Sequence, residues 1–237
     1  MSAVADGRKK VLEAINFATA TVSAGSAARN AGATAGTAAE AHSDIPRDYV
    51  RRGDMTVRAR QERFIERLRE YDAEVVECEP EGLAATIAAQ LAASGRHLFV
   101  APEGLPAEWL AAGFEWKIDR NLEIRDVEQA EGVVTACFCG VADSGTIVLH
   151  HGPAEGRRVI TLLPDWYLCV VRASQVVETL PEYFDRCRVS GVGFQGAENL
   201  PKLVTWISGP SATADIEMTR IKGVHGPRFL NVILVKD

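Results

Sequence analysis

The chain has 237 residues, of which 47% are hydrophobic and 24% charged, a balance typical of a globular protein with a sizeable core. Its 26 basic and 32 acidic residues give a net charge of -6. This charge argues against a nucleic-acid partner, because phosphate binding requires a concentrated basic face. No uninterrupted apolar run approaches the roughly 20 residues that cross a bilayer, and the N-terminus lacks the apolar core of a signal peptide. We therefore expect a soluble, cytoplasmic protein without a membrane partner.

The cysteines and histidines do not predict a metal or cofactor site. The odd number of cysteines and the absence of a CxxC pair match neither an iron-sulfur cluster nor structural zinc, and the five thiols are interpreted as free: Cys78, Cys137, Cys139, Cys169 and Cys187. The neighbours His150 and His151 are expected to point to opposite faces of a strand, so both cannot readily bind one ion. No metal and no directly bound cofactor is expected.

The first part of the chain has an unusual composition. Residues 7–17 have the spacing of a short amphipathic helix, whereas 20 of the 24 residues from 18 to 41 are Ala, Gly, Ser or Thr. Such a segment offers few large apolar groups, and we interpret it as a flexible or partly helical insertion. An ordinary Ala-rich helix remains the alternative. The predicted organisation is an N-terminal segment, 1–44, followed by one folded domain, 45–237.

Helical and strand-like segments alternate from residue 57 onwards. An amphipathic helix over 57–71 precedes a strand at 74–78, a helix at 83–93, a strand at 97–100 and a helical turn at 106–111. This βαβα alternation predicts a mainly parallel sheet flanked by helices. Ligands of such sheets bind at the carboxyl ends of the strands, so the loops that follow strands are the first candidates for a site.

The second half contains more strands than the first. Its strand-like runs lie close together, so some of them must pair through hairpins and the sheet is expected to be mixed. A helix is predicted at 175–187, and strands are predicted at 132–138, 145–150, 158–162, 168–171, 202–207 and 229–235. The predicted fold class is therefore α/β, with a mixed but largely parallel sheet flanked by helices.

Asp143, Ser144, Gly145 and Thr146 form the first candidate site segment, between two apolar runs. Glycine allows a ligand to approach the backbone, and exposed amides with Ser and Thr hydroxyls suit a carboxylate or phosphate. The same residue types are the commonest turn formers, so a tight turn capped by an Asx motif is the simpler interpretation of the residues alone.

The second candidate segment, residues 208–217, directly follows a predicted strand. Its small and hydroxyl-bearing residues fit an anion-binding loop, with Ser211 or Thr213 as the N-cap of a short helix. The proposed ligand-binding residues are Ser208, Gly209, Ser211, Thr213 and Glu217. Asp215 and Glu217 are candidates for a base or for carboxylates that orient a ligand. A loop whose hydroxyls satisfy only local backbone groups is the alternative.

A third segment places His225 between glycines and close to Arg228. This pair suits an acid or base beside an anion clamp, although a lone histidine has many structural uses. The chain contains no GxxxxGK[ST] phosphate loop, and its GxGxxG match, GVGFQG at 191–196, follows a predicted helix rather than a strand, so these motifs give no direct support for nucleotide binding.

Four stretches of the sequence resemble the lactate utilization protein C family. They are ADSGTIV at 142–148, LLPD at 162–165, GPSATADIE at 209–217 and GVHGP at 223–227, and the last two are the most specific. The resemblance extends over about residues 45–237. It implies a fold similar to the sugar-phosphate isomerase and coenzyme A transferase superfamily.

The resemblance also implies a role in oxidising L-lactate to pyruvate beside two iron-sulfur partner subunits, which would carry all the clusters. Related enzymes place a carboxylate, often Glu, at the position of Asp143, so Asp143 is a candidate nucleophile or base, with Asp215 and His225 as further catalytic candidates. The shorter Asp departs from that pattern. The alternatives are an independent enzyme acting on a sugar phosphate or acyl-coenzyme A, and a ligand-sensing or docking subunit without chemistry.

Overall fold

The computed structural model describes residues 49–189, 201, 203–214 and 220–237. Val50–Asp237 forms one compact unit. The predictions made for residues 7–17 and 18–41 lie outside the described residues. Within the described ranges, no helix is long and apolar enough to cross a membrane.

Twelve strands and four α-helices make up the described part of the chain. The helices are α1 (Val57–Glu70), α2 (Leu83–Ser94), α3 (Ile124–Glu128) and α4 (Leu180–Val189). The strands are β1 (Glu74–Cys78), β2 (Leu98–Pro102), β3 (Glu115–Asp119), β4 (Gly132–Ala136), β5 (Cys139–Val141), β6 (Thr146–Leu149), β7 (Trp166–Arg172), β8 (Val176–Val177), β9 (Thr205–Ile207), β10 (Ala212–Ala214), β11 (Arg220–Lys222) and β12 (Phe229–Val235).

The central sheet has six strands in the order β1-β12-β7-β4-β2-β3, and every pair in it is parallel. Alternate residues of β7 face opposite sides, with Tyr167 and Cys169 in one apolar cluster and Leu168 and Val170 in the other. Helix α2 covers the second side, while α1 and α3 cover the first. Burial of both sides explains why the central strands are continuous apolar runs.

A second, four-stranded sheet in the order β8-β5-β6-β9 has two antiparallel pairs and one parallel pair, and β10 and β11 form a separate antiparallel pair. Residues of β6 such as Ile147 and Leu149 belong to the same apolar cluster as Tyr167, so the small sheet packs on the first side of the central sheet. The expected α/β class, with a largely parallel sheet flanked by helices, is confirmed. The mixed character resides in the small sheet.

Three details of the predicted elements are wrong. The run Arg158–Thr161 forms a short 3-10 helix rather than a strand, because only Ile160 and Thr161 of the four residues are buried there. The helix predicted from 175 begins at Leu180, after the two-residue strand β8. Strand β3 was not predicted, because an edge strand that alternates charged with apolar residues has a weak apolar signal.

One ion pair holds the loop between β6 and β7 over the end of β3. Arg157 donates to both carboxylate oxygens of Asp119, at 2.8 and 2.6 Å, and to the carbonyl of Leu122 at 2.9 Å. Burial alone would raise the pKa of Asp119. The hydrogen bonds from Arg157 and from the Leu122 amide outweigh it, so the pKa lies below its ordinary value.

Replacement of this arginine is expected to destabilise the domain. Arg157→Gln leaves the Asp119 side chain, which is 2% exposed, without its ionic partner, and we expect the free energy of unfolding to fall by about 2 kcal/mol. Urea denaturation of the purified protein measures this change. Arg120→Gln is the matched control, because Arg120 pairs with Glu103 on the surface and should cost less than about 1 kcal/mol. Equal losses in the two variants would contradict the structural role of Arg157.

The adjacent residues His150 and His151 contact different parts of the fold. His151 has a φ of 58° and lies between Gly156 and β9; its Nδ1 donates to the Gly156 carbonyl at 2.9 Å and its Nε2 accepts from the Thr205 hydroxyl at 2.8 Å. His150 stacks on Phe138 with ring centroids 3.7 Å apart, and its Nε2 lies 2.9 Å from the Tyr183 hydroxyl of α4. Burial, and secondarily the proximity of His151, lowers the pKa of His150 to about 4.

The low pKa of His150 predicts a pH dependence of stability. The unfolded chain binds a proton near the ordinary pKa of 6.5, whereas the folded protein binds it only near 4, so stability should fall as the pH drops through this interval. His150→Gln should flatten the curve of melting temperature against pH between these values. His97→Gln controls for loss of an exposed imidazole. A H150Q curve parallel to that of the unmodified protein would refute the assignment.

Candidate functional site

The turn from Asp143 to Thr146 joins β5 to β6 and lies against α1. Gly145 has a φ of 57°, and a Cβ at this position would lie 2.7 Å from the Cβ of Arg67. Only glycine permits both this conformation and this approach without displacing the helix. Asp143 and Ser144 are exposed on the same turn, whereas Thr146 is buried.

A second glycine contacts the residue that follows α1. Gly209 has a φ of 82°, and a Cβ there would lie 2.5 Å from the Cβ of Tyr71. The first two candidate segments, far apart in sequence, therefore pack against the same end of one helix. Their side chains meet as well: Ser144 Oγ lies 2.7 Å from Thr146 Oγ1, which in turn lies 2.7 Å from Ser208 Oγ. Three hydroxyls thus form a continuous hydrogen-bonded chain.

The second and third candidate segments also meet, at Ser211. Its amide donates to the Pro227 carbonyl at 2.8 Å, its carbonyl accepts from the Gly223 amide at 3.0 Å, and its hydroxyl accepts from the His225 amide at 3.0 Å. The helix expected to begin at Ser211 or Thr213 is wrong, because Thr213 belongs to β10, which pairs antiparallel with β11. Asp215 and Glu217 lie outside the described residues.

These segments enclose a cavity of about 300 Å³. The cavity lies beside the amino-terminal ends of β7 and β12, so the expected position at the carboxyl ends of the sheet is wrong for it. The reason is that the second segment follows β9, which belongs to the small sheet. The lining residues are Arg158, Thr161, Leu162, Tyr167, Thr205, Trp206, Ile207, Ser208, Gly209, Pro210, Ser211, Ala212, His225, Gly226, Pro227 and Leu230.

Arg158 is the only lysine or arginine among the described residues that line this cavity, and no carboxylate lines it. No described acidic side chain forms an ion pair with Arg158, in contrast to Arg157 next to it. The sequence analysis did not name Arg158 as a candidate ligand-binding residue, because Arg158 was taken as the first residue of the strand predicted at 158–162. The available signal for a cationic site was the pair of adjacent arginines, Arg157 and Arg158, before the apolar run at 159–163.

Arg228, a predicted ligand-binding residue, lies outside this lining. Its guanidinium donates to both oxygens of Asp165, and Arg96 approaches the same carboxylate at 3.5 Å. The hydrogen bonds from Arg228 lower the pKa of Asp165. Arg228 faces a second cavity, of about 250 Å³, which Lys222, Asp72 and Glu74 also line. Arg228 thus has a carboxylate partner, whereas Arg158 has none within the described ranges.

Asp143 also lies outside the cavity. With Ser144, Thr146 and Glu178 it lines an open groove of about 480 Å³. Trp206 lines both the groove and the cavity, and the chain of hydroxyls runs from Ser144 in the groove to Ser208 in the cavity. The structure therefore places His225 and Asp143 in neighbouring depressions rather than in one.

The described ranges contain no group of three His, Cys, Asp or Glu side chains arranged to hold a metal ion. The thiols of Cys137, Cys139, Cys169 and Cys187 are buried. Burial raises the pKa of Cys139 to about 12, so this thiol is not activated as a nucleophile.

Known proteins resemble this chain in both sequence and fold. The LUD domain family profile matches residues 61–235. A lactate utilization protein C of Deinococcus radiodurans is 38% identical over 173 residues, which cover 73% of this chain and 77% of that protein. A lactate utilization protein C of Bacillus subtilis is 36% identical over 137 residues, covering 56% of this chain and 55% of that protein.

A solved structure agrees with these matches. The crystal structure of a DUF162 family protein from Deinococcus radiodurans is 31% identical in sequence and superposes with a TM-score of 0.64, covering 77% of this chain and 99% of that chain. The sequence profile, the identity to the relatives and the shared fold lead to one conclusion: this chain belongs to the LUD domain family.

Proposed function

We propose that this chain is a component of L-lactate utilization that binds a small anionic ligand in the cavity beside Arg158. Relatives that share more than a third of their aligned residues with it carry the name lactate utilization protein C, which supports the metabolic role. The oxidation of L-lactate to pyruvate, a cytoplasmic location and iron-sulfur partner subunits all belong to this proposal.

The observation that carries the anion site is the guanidinium of Arg158, which forms no ion pair with a described acidic side chain. A cation in a cavity lined by no described carboxylate attracts an anion, and a guanidinium can bind a carboxylate or phosphate through two parallel hydrogen bonds. Ser211 provides a second donor: its oxygen already accepts from the His225 amide, so its hydroxyl hydrogen is directed elsewhere. Thr205 donates to His151 and contributes acceptor capacity only.

The acid-base roles in this proposal fall to Asp143, Asp215 and His225. The His225 side chain is exposed and lines the cavity, so it is the nearer group to a bound anion. Asp143 is separated from the cavity by the hydroxyls of Ser144, Thr146 and Ser208, which connect the groove to the cavity by hydrogen bonds.

Growth on L-lactate tests the function and the anion site together. A strain that lacks this protein should fail to grow on L-lactate, and the unmodified gene should restore growth. Arg158→Gln should restore it poorly because the charge that holds the anion is lost, and Arg120→Gln, an exposed control outside every described cavity, should restore it fully. Immunoblots confirm equal protein levels. Full growth of the R158Q strain would exclude Arg158 from the function, and growth of the deletion strain would exclude the lactate role.

The same strain tests the carboxylate at Asp143. Asp143→Asn retains the size and the exposed position of the side chain but removes its charge, and we expect it to abolish growth on L-lactate. Normal growth at a normal protein level would show that the carboxylate is dispensable.

Purification of the tagged full chain from its native host tests the partner proposal. Iron-sulfur subunits should co-purify, detected as protein-bound iron and acid-labile sulfide in the same fractions. Recovery of the chain alone, from cells that are growing on L-lactate, would remove the partner part of the proposal.

A further inference from the structure

Thr205 presents its side chain to the cavity beside Arg158. Side chains alternate between the two faces of a strand, so Thr205 of β9 lies on the face that Ile207 shares and Trp206 does not. Ile207 packs against the apolar cluster that contains Tyr167, and Thr205, Ile207 and Tyr167 all line the cavity. Thr205 therefore contributes a hydroxyl to the wall of this cavity.

The hydrogen bonds of His151 fix the direction of this hydroxyl. The Gly156 carbonyl can only accept, so His151 Nδ1, 2.9 Å away, carries a hydrogen. In the neutral imidazole the other nitrogen, Nε2, then has a lone pair and no hydrogen, so it accepts from Thr205 Oγ1 at 2.8 Å. The hydroxyl hydrogen of Thr205 is therefore committed to His151, and its oxygen offers only lone pairs to a ligand.

The loop that carries His151 is held by further hydrogen bonds. The amides of Glu155 and Gly156 both donate to the Gly152 carbonyl, at 3.0 and 2.9 Å. Both ring nitrogens of His151 are bonded as well, so a rotation of the imidazole would break two hydrogen bonds at once. The acceptor role of Thr205 is therefore fixed by the structure of this loop.

The serine and threonine hydroxyls elsewhere in the described lining differ from that of Thr205. Thr161 donates to the Arg158 carbonyl and is also left as an acceptor, but it is only 3% exposed. Ser208 can donate or accept in its bond with a neighbouring threonine. Ser211 keeps a hydrogen to donate, because its oxygen accepts from a backbone amide. Among these described hydroxyls, the half-buried Thr205 combines access to the cavity with a fixed acceptor role.

We propose that Thr205 makes the cavity selective for a small anion that carries a hydroxyl group, over the corresponding oxo compound. The anionic group binds Arg158, and the ligand hydroxyl donates to Thr205 Oγ1. An oxo group has only lone pairs, so it would face the lone pairs of Thr205 without a hydrogen between them. A site that bonds a hydroxyl rejects an analogue that lacks it, because its own polar group is then left unpaired. The inference rests on the anion site of the proposed function and names the class of its ligand.

Isothermal titration calorimetry of the full chain at pH 8 tests this selection. The probes are sets of matched anions: L-lactate with pyruvate and propionate, 3-hydroxybutyrate with butyrate, and 2-hydroxyethyl phosphate with ethyl phosphate. The sets differ in the spacing between the hydroxyl and the anionic group, and in whether that group is a carboxylate or a phosphate. In at least one set we expect the hydroxylated member to bind about ten-fold more tightly than the others, as one additional hydrogen bond allows. That set identifies the anionic group and the spacing.

Substitutions of Thr205 separate recognition of the hydroxyl from packing. Thr205→Val keeps the branched shape but removes the acceptor, so it should weaken the binding of the hydroxylated member about ten-fold and leave the other members unchanged. Thr205→Ser retains the hydroxyl and should retain the preference. Thr86→Val is the matched control, because the Thr86 hydroxyl donates to the Gly82 carbonyl at the start of α2, outside the cavity. Thermal unfolding of each variant confirms that it is folded.

A substitution of His151 tests the origin of the acceptor role. His151→Asn places a residue that tolerates the positive φ of this position and removes the imidazole that holds the Thr205 hydrogen. The released hydrogen can then be donated to an oxo ligand. The preference for the hydroxylated member should therefore shrink, with pyruvate gaining affinity relative to L-lactate.

Three results would overturn the inference: no binding of any probe, equal binding of hydroxylated and other members in every set, or an unchanged preference in T205V. Failure of the anion site would appear separately, because Arg158→Gln would then bind every member of a set as tightly as the unmodified chain does. Failure of the metabolic role would appear as growth of the deletion strain on L-lactate.

Discussion

The close contact of two glycines with the end of α1 decides where the functional loops lie. Gly145 approaches Arg67, and Gly209 approaches Tyr71, at distances that leave no room for a Cβ. Because both loops are fixed to the same helix end, Thr146 and Ser208 come within hydrogen-bonding distance although 62 residues separate them. The hydroxyl chain and the wall of the cavity both depend on these two backbone contacts.

The arginines near the candidate cavity differ in whether a described carboxylate pairs with them. Arg157 pairs with the buried Asp119, and Arg96 and Arg228 share the carboxylate of Asp165, so each of these three cations has a carboxylate partner. Arg158, adjacent to Arg157, is left without a carboxylate among the described residues. An exposed cation without a carboxylate partner contributes little to folding stability, and Arg158 is the cation that we propose binds the anion.

Much of the fold was predictable from the sequence, because strands buried on both sides, such as β7 and β12, are continuous apolar runs. The site was predictable only in part. Among the residues that line the candidate cavity, Ser208, Ser211 and His225 were predicted from their residue types, whereas Arg158 was hidden in an apolar run that resembles a strand. The region of β10 was interpreted as the start of a short helix, because an N-cap is a signal within a few residues of sequence, whereas the pairing of β10 with β11 is not. Contacts such as Asp165 with Arg228 join residues 63 positions apart, which no local pattern reveals.

The strand order has a consequence for how the domain is assembled. Strand β12 lies between β1 and β7 and pairs with both in parallel, so β1 has no neighbour in the central sheet until β12 is in place. The backbone groups of β1, near position 75, can therefore form their hydrogen bonds in the sheet only after β12, near position 232, has been placed. Such long sequence separation slows folding and leaves an open sheet edge on β7 in any partly folded chain. During synthesis, this edge is the segment most in need of protection by a chaperone.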